Sequence, residues 1–92
     1  MAAMRRDHGT ITHAVANAGI GAATPLFEMT DAQWHAVMDV NLHGTMYFCR
    51  AAARQLAERG QGAMVTDGSI AGLLVKPDRV AYTESKVAVI HM

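Results

Sequence analysis

The chain has 92 residues, which fits one small domain or part of a larger one. Its 51% apolar and 17% charged residues make a globular composition and exclude a disordered one. With 8 basic against 8 acidic residues the formal net charge is zero, which excludes the basic footprint of a nucleic-acid binder. Arg5 and Arg6 are the one adjacent basic pair, so nothing favours a membrane surface. Cys49 is the single cysteine; no internal disulfide can form, which suits a reducing compartment. No apolar run approaches the roughly 18 residues needed to span a bilayer. Met1 to Arg6 lack the apolar stretch of a secretory signal. The expectation is a cytoplasmic protein with no membrane and no nucleic-acid partner.

Residues 1–13 are mixed and weakly patterned. Ala14 to Ala16 form a short apolar run that ends in Asn17-Ala18-Gly19, a buried strand entering a turn. Residues 20–29, with Gly21 and Pro25, read as a loop. Thr30, followed three residues later by Gln33, has the capping-box pattern of a helix start. Trp34, Val37, Met38, Leu42, Met46, Cys49, Ala53 and Leu56 then recur at helical spacing, and Gly60 supplies the stop. Gly44 inside this stretch marks a kink or a close contact. Ala63 to Thr66 predict a second strand, Asp67 to Asp78 a loop, and a helix begins near Arg79 and continues to the C-terminus. Strand, long helix, strand, helix is the order of parallel strands joined by a right-handed crossover.

The chemistry concentrates in Tyr82-Thr83-Glu84-Ser85-Lys86. Tyr82 and Lys86 are four apart and share a helix face. A phenol, with a reference pKa of ~10, is a poor proton-transfer group near neutral pH unless a cation lies close. The spacing provides one, although a lone Tyr-x-x-x-Lys is more often an ordinary amphipathic pair. Ser69 lies thirteen positions earlier, just past the second strand, and Asn17 ends the first. In a parallel sheet, ligands sit outside the carboxyl ends of the strands. Asn41 falls among the apolar positions of the long helix, and a buried amide there needs partners.

Together these residues resemble the short-chain dehydrogenase/reductase family over about Gly9 to Met92. Ala16-Asn17-Ala18-Gly19 is similar to the family's Asn-Asn-Ala-Gly element, with Ala16 in place of the first Asn. Asn41, within Asp39-Val40-Asn41-Leu42, matches the Asn of the catalytic tetrad. Ser69, within Gly68-Ser69-Ile70-Ala71-Gly72, matches the catalytic Ser, and Tyr82 and Lys86 match the Tyr-x-x-x-Lys pair. The resemblance implies an α/β fold, part of a doubly wound parallel sheet of the Rossmann type, with residues 1–92 as one partial NAD(P)-binding domain. It implies hydride transfer between NAD or NADP and a small secondary alcohol or ketone. Tyr82 would be the general acid/base, and Lys86 would assist it and bind the nicotinamide ribose. Ser69 would orient the reacting oxygen, and Asn41 would hold a relay water through its main chain. Asn17, Ala18 and Gly19 would line the cofactor side. A homo-oligomer is implied for the full-length parent.

The family's Thr-Gly-x-x-x-Gly-x-Gly turn, which cradles the cofactor pyrophosphate at a helix N-terminus, is not among these residues. Asp67-Gly68 stands where small polar residues usually precede the Ser, and Gly68 adds backbone freedom there. The expectation is a fragment inactive by itself. The rival readings are a non-catalytic interaction module derived from the same fold and a truncated product without function. His35, Asp39 and His43, four apart on one helical face, read as a solvated stripe and not as a metal site.

Overall fold

The computed structural model describes residues 2–21, 23–73 and 77–92. Ala22 and Leu74 to Lys76, which belong to the loops expected over 20–29 and 67–78, lie outside the described residues, as does Met1. The chain begins with a helix, α1 (Ala2–His8), where the sequence pattern indicated no element. Strand β1 (His13–Ala16) follows, and a single 3₁₀ turn (Leu26–Glu28) interrupts the loop after it.

Helix α2 (Asp31–Met38) starts on the expected capping box. Thr30 Oγ1 accepts from the Gln33 N–H, and Gln33 Oε1 accepts from the Thr30 N–H. The helical stretch then continues without a break, but not as one α-helix. Asp39–Gly44 form a π-helical turn, and α3 (Thr45–Arg59) resumes behind it. Gly44 sits where a Cβ would come 3.2 Å from the Asp39 carbonyl, so the wide turn needs a glycine for space. Gly60 ends α3 in the left-handed region at φ 87°, as a helix-terminating glycine does.

The π turn holds an extra residue per turn, so the helical wheel beyond it is set back. The buried stripe therefore runs Val37, Asn41, Thr45, Ala52 and Leu56. Met46, expected on the apolar face, is exposed, and Leu42 is half-buried. Trp34, Met38 and Cys49 are half-buried, so the expected face is right in its general direction and displaced in detail.

Strand β2 (Ala63–Thr66) pairs with β1 in parallel, in the register His13 with Ala63 through Ala16 with Thr66. A 3₁₀ turn (Ile70–Gly72) follows, and α4 (Val80–Ile90) closes the chain two residues before its end. The order strand, long helix, strand, helix is as the sequence predicts. Helix α3 packs on both strands, and α4 lies against α2, the π turn and the 3₁₀ turn at 70–72.

One face of the sheet is covered and the other is open. Ala14 and Ala16 are buried under the helices, whereas Val15 and its register partner Val65 are 56% and 54% exposed. The radius of gyration is 15.5 Å, against about 12 Å for a compact domain of this length. Among the described residues, four of the seven buried apolar side chains are alanines, so the core works by close approach more than by apolar area. The largest fully buried side chains are polar: Asn41 and Ser85.

Candidate active site

The carboxyl ends of the two strands and the first turns of α4 enclose a polar cleft of about 610 Å³. Asn17, Gly19, Ile20 and Gly21 line it from the β1 side, Asp67 and Gly68 from the β2 side, and Arg79, Tyr82 and Lys86 from α4. Lys86 is buried although charged, and its Nζ donates to the Asp67 carbonyl at 3.0 Å. The same Nζ lies 5.7 Å from the centroid of the Tyr82 ring. The cation is thus fixed beside the phenol by the backbone at the end of β2. The expected pair on one face of α4 is realised with both members on the cleft.

Asn41 is 1% exposed, and its amide is satisfied at every donor. Its Oδ1 accepts from the Ile20 N–H at 2.8 Å, and its Nδ2 donates to the Ile20 carbonyl at 2.8 Å and to Ser85 Oγ at 3.0 Å. The side chain pairs with Ile20 much as a neighbouring strand would, which holds the loop after β1 against the π turn. Two backbone partners of opposite kind fix which end of the amide is oxygen and which is nitrogen. Ser85 Oγ in turn donates to the Tyr82 carbonyl at 2.7 Å.

The main-chain carbonyl of Asn41 accepts from Thr45 Oγ1 at 2.7 Å. The group that the family resemblance gives to a relay water therefore has a protein donor on one of its two lone pairs. Sequence reasoning missed both Ser85 and Thr45. Each is a small hydroxyl residue inside a helix, and only the contacts reveal a role. A polar position four residues after Asn41 was the available signal for Thr45, and the residue before Lys86 the signal for Ser85.

The glycines of the loop after β1 make room. A Cβ on Gly19 would stand 3.3 Å from Asn41 Oδ1 and 3.5 Å from Lys86 Nζ. One on Gly21 would meet the Tyr82 ring at 3.1 Å. Gly68 is closely packed as well: a Cβ there would meet the Ile90 side chain at 3.1 Å, and its φ is not among the positive values. The backbone freedom expected at Gly68 is therefore not used.

The other expected residues are placed as follows. Asn17 borders the polar cleft and also a second, apolar hollow of about 560 Å³ lined by Val15, Ala18, Val40 and Phe48 among others. Ala18 faces that hollow and Gly19 the cleft, so the expected cofactor-side trio divides between two adjoining spaces. Ser69 is half-buried and follows the cleft residues Asp67 and Gly68 without lining the cleft itself; its carbonyl accepts from the Gly72 N–H at 2.9 Å. On the loop opposite, the Thr24 N–H donates to the Asp78 carbonyl at 2.7 Å, and Asp78 adopts a left-handed φ of 59° just ahead of α4. His35, Asp39 and His43 are exposed, and His43 Nδ1 pairs with Asp39 Oδ1 at 2.9 Å. Among the described residues no group of three His, Cys, Asp or Glu is placed to hold a metal, and no helix is long and apolar enough to cross a membrane.

Comparison with known proteins shows the family and the fold. The family profile described as short chain dehydrogenase matches residues 1–92. A galactitol 2-dehydrogenase from Rhizobium johnstonii is 42% identical over 81 residues, covering 85% of this chain and 32% of the relative. Among solved structures, NAD+-bound xylitol dehydrogenase aligns with a TM-score of 0.93 at 31% identity, over 98% of this chain and 35% of that one. A gluconate 5-dehydrogenase from Burkholderia cenocepacia, in complex with NADP and tartrate, aligns with a TM-score of 0.92 at 34% identity, over 96% of this chain and 34% of that one. The chain spans about a third of the length of the relatives it matches.

The Asn41 amide predicts a specific energetic contrast within one helical turn. Asn41→Leu keeps the branched outline of the side chain, at a larger volume, but removes the partner of both Ile20 backbone groups and the donor to Ser85 Oγ, and is expected to cost about 2 kcal/mol or more. Asp39→Ala, exposed and paired only with exposed His43, is expected to cost less than about 0.5 kcal/mol. Urea unfolding of the longest soluble polypeptide carrying residues 1–92 measures both. Equal losses would remove Asn41 from its central place.

Proposed function

The chain belongs to the short-chain dehydrogenase family, and on that premise we propose that it carries the proton-transfer half of a nicotinamide-dependent oxidoreductase acting on a small secondary alcohol or ketone. The observation that carries this reading is Tyr82 and Lys86 on one cleft, with the Lys86 ammonium pinned beside the phenol ring by the Asp67 carbonyl. A second function class, a non-catalytic interaction module, has no observation of comparable weight behind it.

Tyr82 Oη takes the hydroxyl proton when the alcohol is oxidised and returns it when the ketone is reduced. Lys86, fixed at 3.0 Å from a backbone carbonyl and 5.7 Å from the centroid of the Tyr82 ring, places a positive charge beside the phenol that gains and loses that proton. Ser69, three residues past β2 and next to the cleft residue Gly68, lies outside the cleft lining; its role of hydrogen-bonding the substrate oxygen is proposed from the family resemblance. Asn41 contributes by holding the loop after β1 and the π turn in one piece. Bound nicotinamide supplies the site that accepts or gives the hydride. The residues at hand fit the ribose end of such a cofactor: Gly19 leaves open the space that a Cβ would fill beside Lys86 Nζ and Asn41 Oδ1. Asn17 extends that surface, Ala18 faces the adjoining hollow, and Lys86 is the group to hydrogen-bond a ribose hydroxyl. Catalysis is proposed for a polypeptide that adds a pyrophosphate-binding turn, which residues 1–92 do not contain.

Two measurements test this. In a complete enzyme carrying the segment, Tyr82→Phe removes the transferable proton, and turnover is expected to fall by about 10²- to 10⁴-fold with cofactor affinity retained. Wild-type turnover in that variant would sink the assignment of Tyr82. For residues 1–92 alone, calorimetric titration with NAD and with NADP is expected to show no binding in the micromolar range and no dehydrogenase activity. A soluble monomer that melts cooperatively and binds either cofactor at micromolar concentration would contradict it.

A further inference from the structure

Ser85 has 0% of its surface exposed, and its single hydroxyl makes two hydrogen bonds whose directions are fixed by chemistry. Asn41 Nδ2 can only donate, so Ser85 Oγ must accept from it. The Ser85 proton is then free for one acceptor, and it goes to the Tyr82 carbonyl at 2.7 Å. The chain of bonds runs from the Ile20 backbone through the Asn41 amide and the Ser85 hydroxyl to the Tyr82 backbone. It crosses three segments that are far apart in sequence: the loop after β1, the π turn and α4. Ser85 is absent from the cleft lining, so it touches neither a molecule in the cleft nor the space where one would bind.

We propose that Ser85 is a positioning residue that sets the turn of α4 bearing Tyr82 and Lys86 at its working distance from the loop containing Asn17, Gly19 and Gly21. This rests on the assignment of Tyr82 as the proton-transfer group. The Tyr82 ring lies close to that loop: a Cβ on Gly21 would stand 3.1 Å from it, so α4 has little room to slip toward the loop. A slip away from it is opposed by the Ser85 link. Without that hydroxyl, Asn41 keeps its two bonds to Ile20 but loses its hold on α4. Packing, the Lys86–Asp67 bond and the Thr24–Asp78 bond then set the Tyr82 ring without a direct tie to the π turn, and misplacement of a reacting group by about 1 Å is enough to cost on the order of 100-fold in rate.

The test uses a complete enzyme carrying residues 1–92, with Ser85→Ala, Ser85→Thr and Ser85→Val compared at a temperature where each is folded. Thr and Val have the same shape and differ by the hydroxyl. The expected result is a kcat lower by about 10- to 100-fold in Ser85→Ala and Ser85→Val, with KM for alcohol and cofactor little changed, and recovery in Ser85→Thr. A kcat equal to wild type in a folded Ser85→Ala or Ser85→Val overturns the proposal. So does a pattern in which those two variants fail to fold while Ser85→Thr is folded and active, because the hydroxyl would then serve stability. Tyr82→Phe is assayed alongside. Its retention of turnover would refute the parent assignment, whereas its inactivity beside a normal Ser85→Ala would refute this inference alone.

Discussion

A buried amide organises this molecule. Asn41 sits at 1% exposure in a core built largely of alanines, and an unpaired amide there would be costly. Its bonds to Ile20 and Ser85 avoid that cost and tie the loop after β1, the π turn and α4 together. Around Ile20 the loop after β1 has no regular secondary structure of its own. Asn41 gives it a strand-like partner, and through that partner a defined distance from Tyr82 and Lys86. The π turn is what delivers the amide. With Gly44 allowing the wide turn, Asn41 and Thr45 rotate inward and Met46 rotates out.

The sheet shows the other side of the same economy. Two parallel strands carry the cleft at their carboxyl ends, and helices cover only one face. Val15 and Val65 on the opposite face are more than half exposed among the described residues, which accords with a span of about a third of the relatives' length. The site therefore depends on polar links between elements more than on apolar burial beneath them. A core of small side chains lets α3 approach the strands closely but contributes little transfer free energy per residue.

Much of this was legible in the residues. The apolar runs at Ala14 and Ala63, the capping box at Thr30 and the stop at Gly60 mark features that rest on local physics, and each stands where the pattern puts it. Tyr82 and Lys86 were legible because helical spacing alone brings them to one face. The π turn was not, because periodicity analysis assumes a constant number of residues per turn; Gly44 was its one visible sign. Ser85 and Thr45 were hidden for another reason. A hydroxyl inside a helix usually bonds to its own backbone, and only tertiary contact distinguishes a residue that also bridges to another segment. The helix at Ala2–His8 carries no apolar stripe by which sequence could have announced it.

The central claim is that the Asn41 amide ties the loop after β1 to the rest of the site, and the Ile20 backbone N–H reports on it directly. Ile20 is 45% exposed, so its N–H would exchange rapidly with solvent were it not bonded to Asn41 Oδ1. Residue-resolved hydrogen exchange by NMR, on the longest soluble polypeptide carrying residues 1–92, measures it. The Ile20 amide is expected to exchange at least about 100-fold more slowly than an unstructured reference, and Asn41→Ala to abolish this protection. Exchange of Ile20 at the unprotected rate with Asn41 in place would contradict it.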